Sequence, residues 1–394
     1  MKEIKTYISN RVKQTPPSGI RKFFDMVIGM EDVISLGVGE PDFVTPWHIR
    51  EACIYSLEKG YTTYTSNSGL IELREAISDT FHTDYGVDYD PHDQVLVTTG
   101  VSEAADLALR AVIDPGDEVI IHEPSYVSYK PCIIIPGGKP VIATTTRDNE
   151  FRVTKEQIEE KVTEKTKAII LSYPNNPTGA VMNKQDLEDV ADVVIENDLL
   201  VISDEVYDKL TYDNKHTCFS SLNGMDEHTI LLNGLSKSHA MTGLRIGYAM
   251  GPSEIIKAML LIHQYTMLCA PITSQMGAIE ALKNGGPDMQ YMVREYNRRR
   301  RLFVKGLNDL GLDCFEPKGA FYAFPSIAST GMTSDQFAEK LLTQQKVAVI
   351  PGNVFGSSGD GFLRCSYASG LDELKIALER MGEFLDRHSV GMED

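Results

Sequence analysis

The stretch QVLVTTGVSEAADLALRAVIDPGDEV, Gln94–Val119, contains an apolar strand, a glycine, an amphipathic helix and the start of a second strand. The same alternation continues to about Gly251. Apolar strands are predicted at VLVTT, EVIIH, PVIAT, AIILS, LLVIS, TILLN and RIGYAM, with helices such as NKQDLEDVADVVIEN between them. Strands that alternate with helices in this way form a mostly parallel sheet with helices on both faces. The predicted fold class is therefore α/β.

Two domains are expected, because the 394 residues of the chain exceed what one hydrophobic core usually holds. After a helical stretch near Pro287 to Leu310, the pattern changes to short strands and two helices, SDQFAEKLL and LDELKIALERMGEFL. We predict a large domain over residues 48–289. A smaller α+β domain is predicted for residues 1–47 together with 290–394.

The formal net charge of −18 argues against binding to nucleic acid or to anionic membranes. The basic run Arg298–Arg301 does not change this, because consecutive helical residues point in different directions. We interpret the run as solvated or ion-paired helix surface. No apolar run approaches the roughly 18 residues of a membrane span, and the N-terminus has no signal-peptide core.

The six cysteines show no CxxC spacing, which is typical of a reduced, cytoplasmic protein without a disulfide framework. His122 and Glu123 resemble the start of a zinc-binding helix motif. Position 126 is a tyrosine, however, where that motif needs its second histidine. We therefore expect no metal site.

The segment NGLSKS, Asn233–Ser238, contains the lysine with the strongest chemical indication. Lys237 follows an apolar strand and precedes MTGLRIG, in which Arg245 is a second cation within reach. A lysine amine becomes a nucleophile toward aldehydes when burial or nearby positive charge lowers its pKa from about 10.4. Most lysines are solvated surface residues, so Lys237 alone is weak support.

The segment LLVISDEVYDKL places Asp204 at the carboxyl end of an apolar strand, where open α/β sheets bind ligands. A buried carboxylate there needs a cationic partner, and the protonated pyridine nitrogen of pyridoxal phosphate is one. Tyr207 is placed to bond the phenolic oxygen of that ring. The alternative is a helix N-cap aspartate followed by a core tyrosine.

Two further segments fit the same cofactor. Gly100 lets the backbone approach a phosphate at the start of the helix near Ser102, although Ser102 could be only an N-cap. In SYPNNPTG, Asn176 precedes a proline and is biased to extended geometry, from which its amide could bond the ring oxygen.

Arg364 lies inside the otherwise uncharged strand GFLRCSYASG. Arginine avoids such places unless it is paired, and its guanidinium group matches a carboxylate with two parallel hydrogen bonds. Arg364 is therefore either a binder of the substrate carboxylate or part of a structural ion pair.

The chain resembles the class I and II aminotransferases, which are fold type I pyridoxal phosphate enzymes. It is most similar to their prokaryotic aspartate and aromatic branch, in a subgroup that includes N-acetyl-diaminopimelate aminotransferases. The resemblance covers nearly the whole chain in the order SGIRKF, LGVGEPDF, YTSNSGLIELREAI, PNNPTG, SDEVY, LSKSHAMTGLRIG, GAFYAFP and FLRCSYA.

The resemblance implies a role for each candidate residue. Lys237 would form the Schiff base with pyridoxal 5'-phosphate, Asp204 would pair with the pyridine nitrogen, and Asn176 and Tyr207 would hold the phenolic oxygen. Tyr126 of EPSYVSY would stack on the ring. The phosphate would be bound by Gly100, Val101, Ser102, Ser236 and Arg245.

The resemblance also implies the substrate contacts and the assembly. Arg364 would hold the substrate α-carboxylate with help from Asn176 and the backbone around Gly39. Tyr64 of YTTYTSNSG would reach the phosphate of the neighbouring subunit, so a homodimer with shared active sites is expected. The expected activity is transamination between an amino acid and a 2-oxo acid.

The substrate pair remains open at this point. Ile20 would give the N-terminal segment an apolar face over the substrate, and Arg21 or Lys22 could approach a distal carboxylate. We expect glutamate and 2-oxoglutarate as one pair, with aspartate or an aromatic amino acid as the other partner. Two alternatives are a C–S β-lyase of the same fold and a non-catalytic pyridoxal phosphate-binding regulator.

Overall fold

The computed structural model describes residues 7–389, without the side chains of Lys22, Phe24, Asp25 and Ser389. The described strands are β1 (Ile34–Ser35), β2 (Val95–Thr98), β3 (Glu118–Glu123), β4 (Lys139–Thr144), β5 (Thr166–Ser172), β6 (Leu200–Asp204), β7 (Thr229–Gly234), β8 (Gly247–Met250), β9 (Tyr322–Ala323), β10 (Val347–Ala348), β11 (Ile350–Pro351) and β12 (Leu363–Ser366).

The described α-helices are α1 (Asn10–Gln14), α2 (Gly19–Val27), α3 (Trp47–Glu58), α4 (Ile71–Tyr85), α5 (Val101–Val112), α6 (Tyr129–Ile134), α7 (Lys155–Glu159), α8 (Lys184–Glu196), α9 (Ser253–Thr266), α10 (Ile272–Asn284), α11 (Gly286–Asp309), α12 (Ser334–Gln345) and α13 (Leu371–Ser389). Short 3₁₀ turns connect some of these elements, for example Thr242–Leu244 after the lysine segment.

The central sheet has seven strands in the order β2-β8-β7-β6-β5-β3-β4. The strands from β4 to β7 pair in parallel, whereas β8 pairs antiparallel with both β7 and β2. The prediction of a mostly parallel α/β sheet is confirmed. The antiparallel β8 arises because the chain turns back directly after β7, through the lysine segment, instead of crossing over through a full helix.

Alternate residues of the central strands bury opposite faces of the sheet. Ile169 and Leu171 of β5 lie in one core cluster, which includes the apolar face of α8. Ala168 and Ile170 lie in a second cluster, which includes residues of α5 and α9. The sheet is covered on both faces, so its strands are apolar almost throughout.

The parallel register brings the candidate residues together at one edge of the sheet. Ser172, the last residue of β5, is opposite Asp204, the last residue of β6, and Asp204 is opposite Leu232 of β7. Lys237 follows the end of β7 by three residues, and α5 begins directly after β2 and its glycine loop. The carboxyl ends of the parallel strands therefore form the floor of a ligand site.

Two smaller sheets lie outside the central one. Strands β11, β12 and β9 form an antiparallel sheet, and β1 pairs in parallel with β10. The second pairing joins the N-terminal and C-terminal parts of the chain. The domain boundaries at residues 47/48 and 289/290 stay a prediction, and α11 runs without a break through the second of them.

The basic run Arg298–Arg301 corrects one sequence-based interpretation. Arg298 is exposed, but Arg299 and Arg300 are buried and pair with Asp42 and Asp213, respectively. The ion pairs that the interpretation allowed are confirmed for these two residues, but their placement on the helix surface is wrong, because both side chains are buried. Among residues 7–389, no helix has the length and apolarity that a bilayer crossing requires.

Candidate active site

A cavity of about 560 Å³ opens at the carboxyl ends of β5 and β6. Its walls come from the central sheet, from the α5 N-terminus and from the segments around Gly39 and Arg364. The predicted residues that line it are Gly39, Val101, Ser102, Tyr126, Asn176, Asp204, Tyr207, Ser236, Lys237, Arg245 and Arg364. Gly100 does not line the cavity but lies against Arg245, which does. Tyr64 does not line the cavity.

Lys237 projects into this cavity from the turn after β7. Its Nζ donates a hydrogen bond to the carbonyl oxygen of Gly39 at 2.6 Å. Burial lowers the pKa of Lys237 to about 8, Glu40 opposes this shift, and the cations Arg364 and Arg245 add to it. A larger fraction of this amine than of an ordinary lysine is therefore neutral and nucleophilic near neutral pH.

Asp204 ends β6 with its carboxylate inside the cavity. Oδ2 accepts a hydrogen bond from the hydroxyl of Tyr129 at 2.7 Å, and Oδ1 accepts one from the backbone N–H of Val206 at 3.2 Å. Burial raises the pKa of Asp204 to about 6, although both hydrogen bonds oppose the shift. Turns follow Asp204 instead of a helix, so the N-cap alternative is wrong.

Tyr207 is buried close to Asp204, and its hydroxyl lies 2.8 Å from the hydroxyl of Tyr322. Tyr322 was not predicted from the sequence, although GAFYAFP was part of the resemblance. A Cβ added to Gly39 would lie 2.8 Å from the Tyr322 hydroxyl. The close approach of these segments therefore requires a glycine at position 39.

Arg364 is 2% exposed and donates from Nη1 to Asn176 Oδ1 at 3.1 Å and from Nη2 to the Gly37 carbonyl oxygen at 2.5 Å. Its Nε has no hydrogen-bond partner, and no carboxylate among the described side chains forms an ion pair with it. The structural ion-pair alternative is therefore wrong. A buried cation with a free donor and no ionic partner among the described side chains is suited to an anion from outside the chain.

The rings of Tyr322 and Phe355 hold this guanidinium group in place. Its central carbon lies 4.7 Å from the Tyr322 centroid and 4.9 Å from the Phe355 centroid. Cation–π contacts of this kind stabilise a charge that lacks an ionic partner. The arginine is thus preorganised before any ligand arrives.

The opposite end of the cavity is suited to a phosphate. Gly100 adopts φ +90° as the N-cap of α5, and no side chain caps this helix. A Cβ at Gly100 would lie 2.6 Å from Nη2 of Arg245. The helix N-terminus, the glycine and the arginine together form an anion site. Ser102 is the second helical residue, so the alternative of Ser102 as the N-cap is wrong.

Glu103 contacts this glycine loop and was not predicted as a site residue. It accepts a hydrogen bond from the Thr99 N–H, and its Oε1 lies 2.7 Å from His263 Nδ1. His263 comes from α9, 160 residues further along the chain. The sequence offers no local signal for this contact.

The N-terminal segment was predicted to cover the substrate, and the structure places only some of its residues at the cavity. Ile20, on α2, lines the cavity. Arg21 is not among the lining residues, and the side chain of Lys22 lies outside the described residues. Glu40 also lines the cavity, where its Oε2 accepts a hydrogen bond from the Thr242 hydroxyl at 3.1 Å. Glu40 was not predicted as a site residue.

The geometry of the cavity fits pyridoxal 5'-phosphate. A low-pKa lysine, a buried carboxylate and an uncapped helix N-terminus beside an arginine match its aldehyde, its ring nitrogen and its phosphate. Arg364 has an unpartnered Nε besides, which suits a second anion. These features are complementary to a cofactor and a substrate held together.

Comparison with known proteins gives the same result. The sequence model of the family Aminotransferase class I and II matches residues 31–381. The protein YugH of Bacillus subtilis (strain 168) is 53% identical over 382 residues, which cover 97% of this chain and 99% of YugH. The aspartate aminotransferase of Pyrococcus abyssi (strain GE5 / Orsay) is 46% identical over 381 residues, covering 96% and 98%.

A solved structure of similar fold is the aromatic aminotransferase from Pyrococcus horikoshii OT3. It matches with a TM-score of 0.90 and 44% identity, over 94% of this chain and 100% of that one. The family and the fold type predicted from the motifs are confirmed. With a family match over most of its length, the chain belongs to the class I and II aminotransferases and is an enzyme of that family.

Proposed function

We propose that this aminotransferase holds pyridoxal 5'-phosphate at Lys237 and moves an amino group between an L-amino acid and 2-oxoglutarate. The observation that carries the proposal is Arg364, which is buried in the same cavity as Lys237 without a carboxylate partner among the described side chains. An enzyme whose substrates all carry an α-carboxylate needs such a cation beside its reacting amine.

The cofactor would be held by residues from several elements. Lys237 would bind its aldehyde carbon, Asp204 its ring nitrogen and Tyr207 its phenolic oxygen, with Tyr126 against the ring face. The phosphate would be bound by Gly100, Val101, Ser102, Ser236 and Arg245. When bound, this cofactor supplies an aldehyde that accepts the amino group and a protonated ring that withdraws electrons from the substrate α-carbon.

Lys237 would also move the proton. Once substrate has replaced it, the free amine is placed to take the proton from the substrate α-carbon and to return it nearby. The pKa of about 8 suits a base that must also give the proton back near neutral pH. The Gly39 carbonyl oxygen keeps the Nζ directed into the cavity.

Arg364 and Asn176 would orient the substrate. The 3.1 Å bond between them fixes the guanidinium plane, and the free Nε–H together with a remaining N–H group in that plane can bond a carboxylate. With the carboxylate fixed, the α-carbon would be held in the same cavity as Lys237. Positioning of this kind accounts for a large part of enzymatic rate enhancement.

The proposed second substrate is aspartate or an aromatic amino acid. Ile20 supports the aromatic partner, since it contributes apolar surface to the cavity. The aspartate and aromatic aminotransferases among its relatives support both partners. An apolar wall rejects a charged side chain at a cost of several kcal/mol unless a cation compensates. Activity with an aromatic amino acid therefore tests the apolar surface of Ile20, and activity with aspartate tests whether a cation is present.

The proposed assembly is a homodimer that shares its active sites. Tyr64 is 81% exposed, and the aromatic side chains of Trp47 and Tyr265 are exposed as well. Ser102 and Arg245 of the phosphate corner are exposed as well. A second copy that places its Tyr64 over this corner would complete the site.

Six free cysteines support a cytoplasmic location.

The experiment that tests the function is a panel of amino acids added to the purified enzyme loaded with pyridoxal 5'-phosphate. Glutamate and either aspartate or phenylalanine should convert the cofactor absorbance to that of its amine form, and 2-oxoglutarate should restore it. The ratio of kcat/KM for aspartate and phenylalanine gives the preference. Release of ammonia and pyruvate from a cysteine conjugate, without any 2-oxo acid, would instead identify a β-lyase.

A further inference from the structure

Tyr129 has no role in the proposed reaction, but it forms a hydrogen bond with Asp204. Its hydroxyl donates to Oδ2 of Asp204 at 2.7 Å, while the Val206 N–H donates to Oδ1 at 3.2 Å. Each carboxylate oxygen therefore has one donor from the protein, and the two donors come from different segments. Together they fix both the position and the plane of the Asp204 carboxylate.

The ring of Tyr129 supports a second predicted contact of the cofactor. It packs edge-on against Tyr126, with centroids 5.7 Å apart and an interplanar angle of 81°. Edge-to-face pairs of this geometry are attractive beyond their buried area. Tyr129 itself is buried in the cluster that contains Ile133 and Ile170, so its ring has little freedom to move.

We propose that Tyr129 is a positioning residue for the cofactor, which aims the Asp204 carboxylate at the ring nitrogen and supports Tyr126 against the ring face. The inference rests on the proposed function, because it requires that Asp204 faces the cofactor nitrogen. Tyr129 lines the cavity, and its proposed role is exerted through its contacts with Asp204 and Tyr126.

The electrostatics of the pocket agree with this geometry. Burial raises the pKa of Asp204, and the neighbouring Glu205 raises it further, whereas Tyr129, Val206 and Lys237 lower it. Without the Tyr129 hydroxyl, burial and Glu205 favour the protonated acid. A protonated Asp204 would be a poorer partner for a positively charged ring nitrogen.

The test uses a Tyr129→Phe variant, which removes one oxygen and keeps the ring against Tyr126. Both enzymes are loaded with pyridoxal 5'-phosphate that carries an isotope label at the ring nitrogen, and the nitrogen resonance is followed against pH by NMR. In the variant, the resonance should shift toward the unprotonated form at a pH where the wild type is protonated. We expect kcat to fall roughly tenfold, with KM for the amino donor nearly unchanged.

Tyr367→Phe is the matched control. Tyr367 is also a fully buried tyrosine, and its hydroxyl contacts the Ala320 carbonyl oxygen at 3.2 Å and the Tyr212 hydroxyl at 3.5 Å instead of a carboxylate. Both variants lose one buried phenol oxygen together with its hydrogen bonding, so similar losses of thermal stability are expected. Only the Tyr129 variant should move the nitrogen resonance.

A fluorinated tyrosine at position 129 covers the case in which the phenylalanine variant binds cofactor poorly. Its more acidic hydroxyl is a stronger donor, so the resonance should shift in the opposite direction. The proposal is overturned if neither change moves the resonance, or if Tyr129→Phe and Tyr367→Phe lower kcat equally. A wild-type enzyme that shows no bound cofactor would contradict the proposed function instead, which keeps the two failures separate.

Discussion

Two buried arginines in this enzyme have nearly the same exposure but opposite surroundings. Arg300, on α11, is 1% exposed and bonds both oxygens of Asp213, the Pro317 carbonyl oxygen and the Asn297 side chain. Arg364 is 2% exposed, has no carboxylate partner among the described side chains and keeps an unpartnered Nε.

The presence or absence of a carboxylate partner indicates whether a buried arginine stabilises the fold or is available to a ligand. A buried guanidinium group whose hydrogens are all satisfied within the chain belongs to the scaffold, and its removal leaves other buried groups unpaired. A buried guanidinium group with a free donor is costly unless a ligand completes it. Burial by itself would have given the two arginines the same role.

The largest effect is expected when the amine of Lys237, which lines the same cavity as Arg364, is removed. Lys237→Ala should abolish the covalent adduct that borohydride traps and lower the transamination rate by about 10⁴-fold. The free energy of unfolding should change little, because the one hydrogen bond lost is that to Gly39. Peptide mapping by mass spectrometry locates the trapped cofactor. Trapping at another lysine in the wild type would contradict the assignment.

The same substitution, arginine to lysine, at both positions tests whether the two arginines have different roles. Arg364→Lys keeps the charge but loses the planar pair of donors, so KM should rise about 10–100-fold for amino and 2-oxo acids alike. Cofactor affinity should be unchanged. Steady-state kinetics with both substrates and a spectroscopic titration of the cofactor measure the two effects.

Arg300→Lys is the matched variant on the scaffold side. It should lower the free energy of unfolding by roughly 2 kcal/mol and leave both KM values near those of the wild type. Denaturant unfolding measures the first quantity. If Arg300→Lys raises KM and Arg364→Lys only destabilises the fold, the assignment of the two roles is reversed.

The pH dependence of cofactor capture should also depend on Arg364, because Arg364 is one of the cations that lower the pKa of Lys237. The amine is protonated below its pKa of about 8, so the rate at which the cofactor-free protein captures pyridoxal phosphate should fall about tenfold per pH unit below 8. Above that pH the rate should level off. Stopped-flow absorbance measures the profile. In Arg364→Met the midpoint should move upward, and an unchanged midpoint would show that the two groups do not interact.

The smallest effect is expected at the exposed edge of the site. Tyr64→Phe should weaken cofactor binding by roughly 1 kcal/mol if one hydrogen bond to the phosphate is lost. The affinity of the dimer, measured by sedimentation, should stay the same. A fully active monomer would rule out the shared site, since Tyr64 does not reach the cavity of its own chain.

Residues whose chemistry depends on their immediate neighbours along the chain could be predicted without a structure. Lys237, Asp204 and Gly100 each follow a recognisable apolar strand, and parallel strands bring their carboxyl ends to one edge of a sheet. The α/β class followed from the same local pattern. The resemblance then indicated Arg364 and Asn176, which the structure brings within 3.1 Å of each other.

Contacts between distant segments could be found only in the folded chain. Tyr129 and Asp204 are 75 residues apart, Tyr207 and Tyr322 are 115 apart, and nothing in the spacing of either pair indicates that their hydroxyl or carboxylate groups meet. Whether a charge is paired is decided in the same way. The chain places arginines at 300 and 364 in different segments. Only tertiary packing gave one of them a carboxylate partner and left the other without one among the described side chains, because pairing depends on which groups the fold brings within about 3 Å.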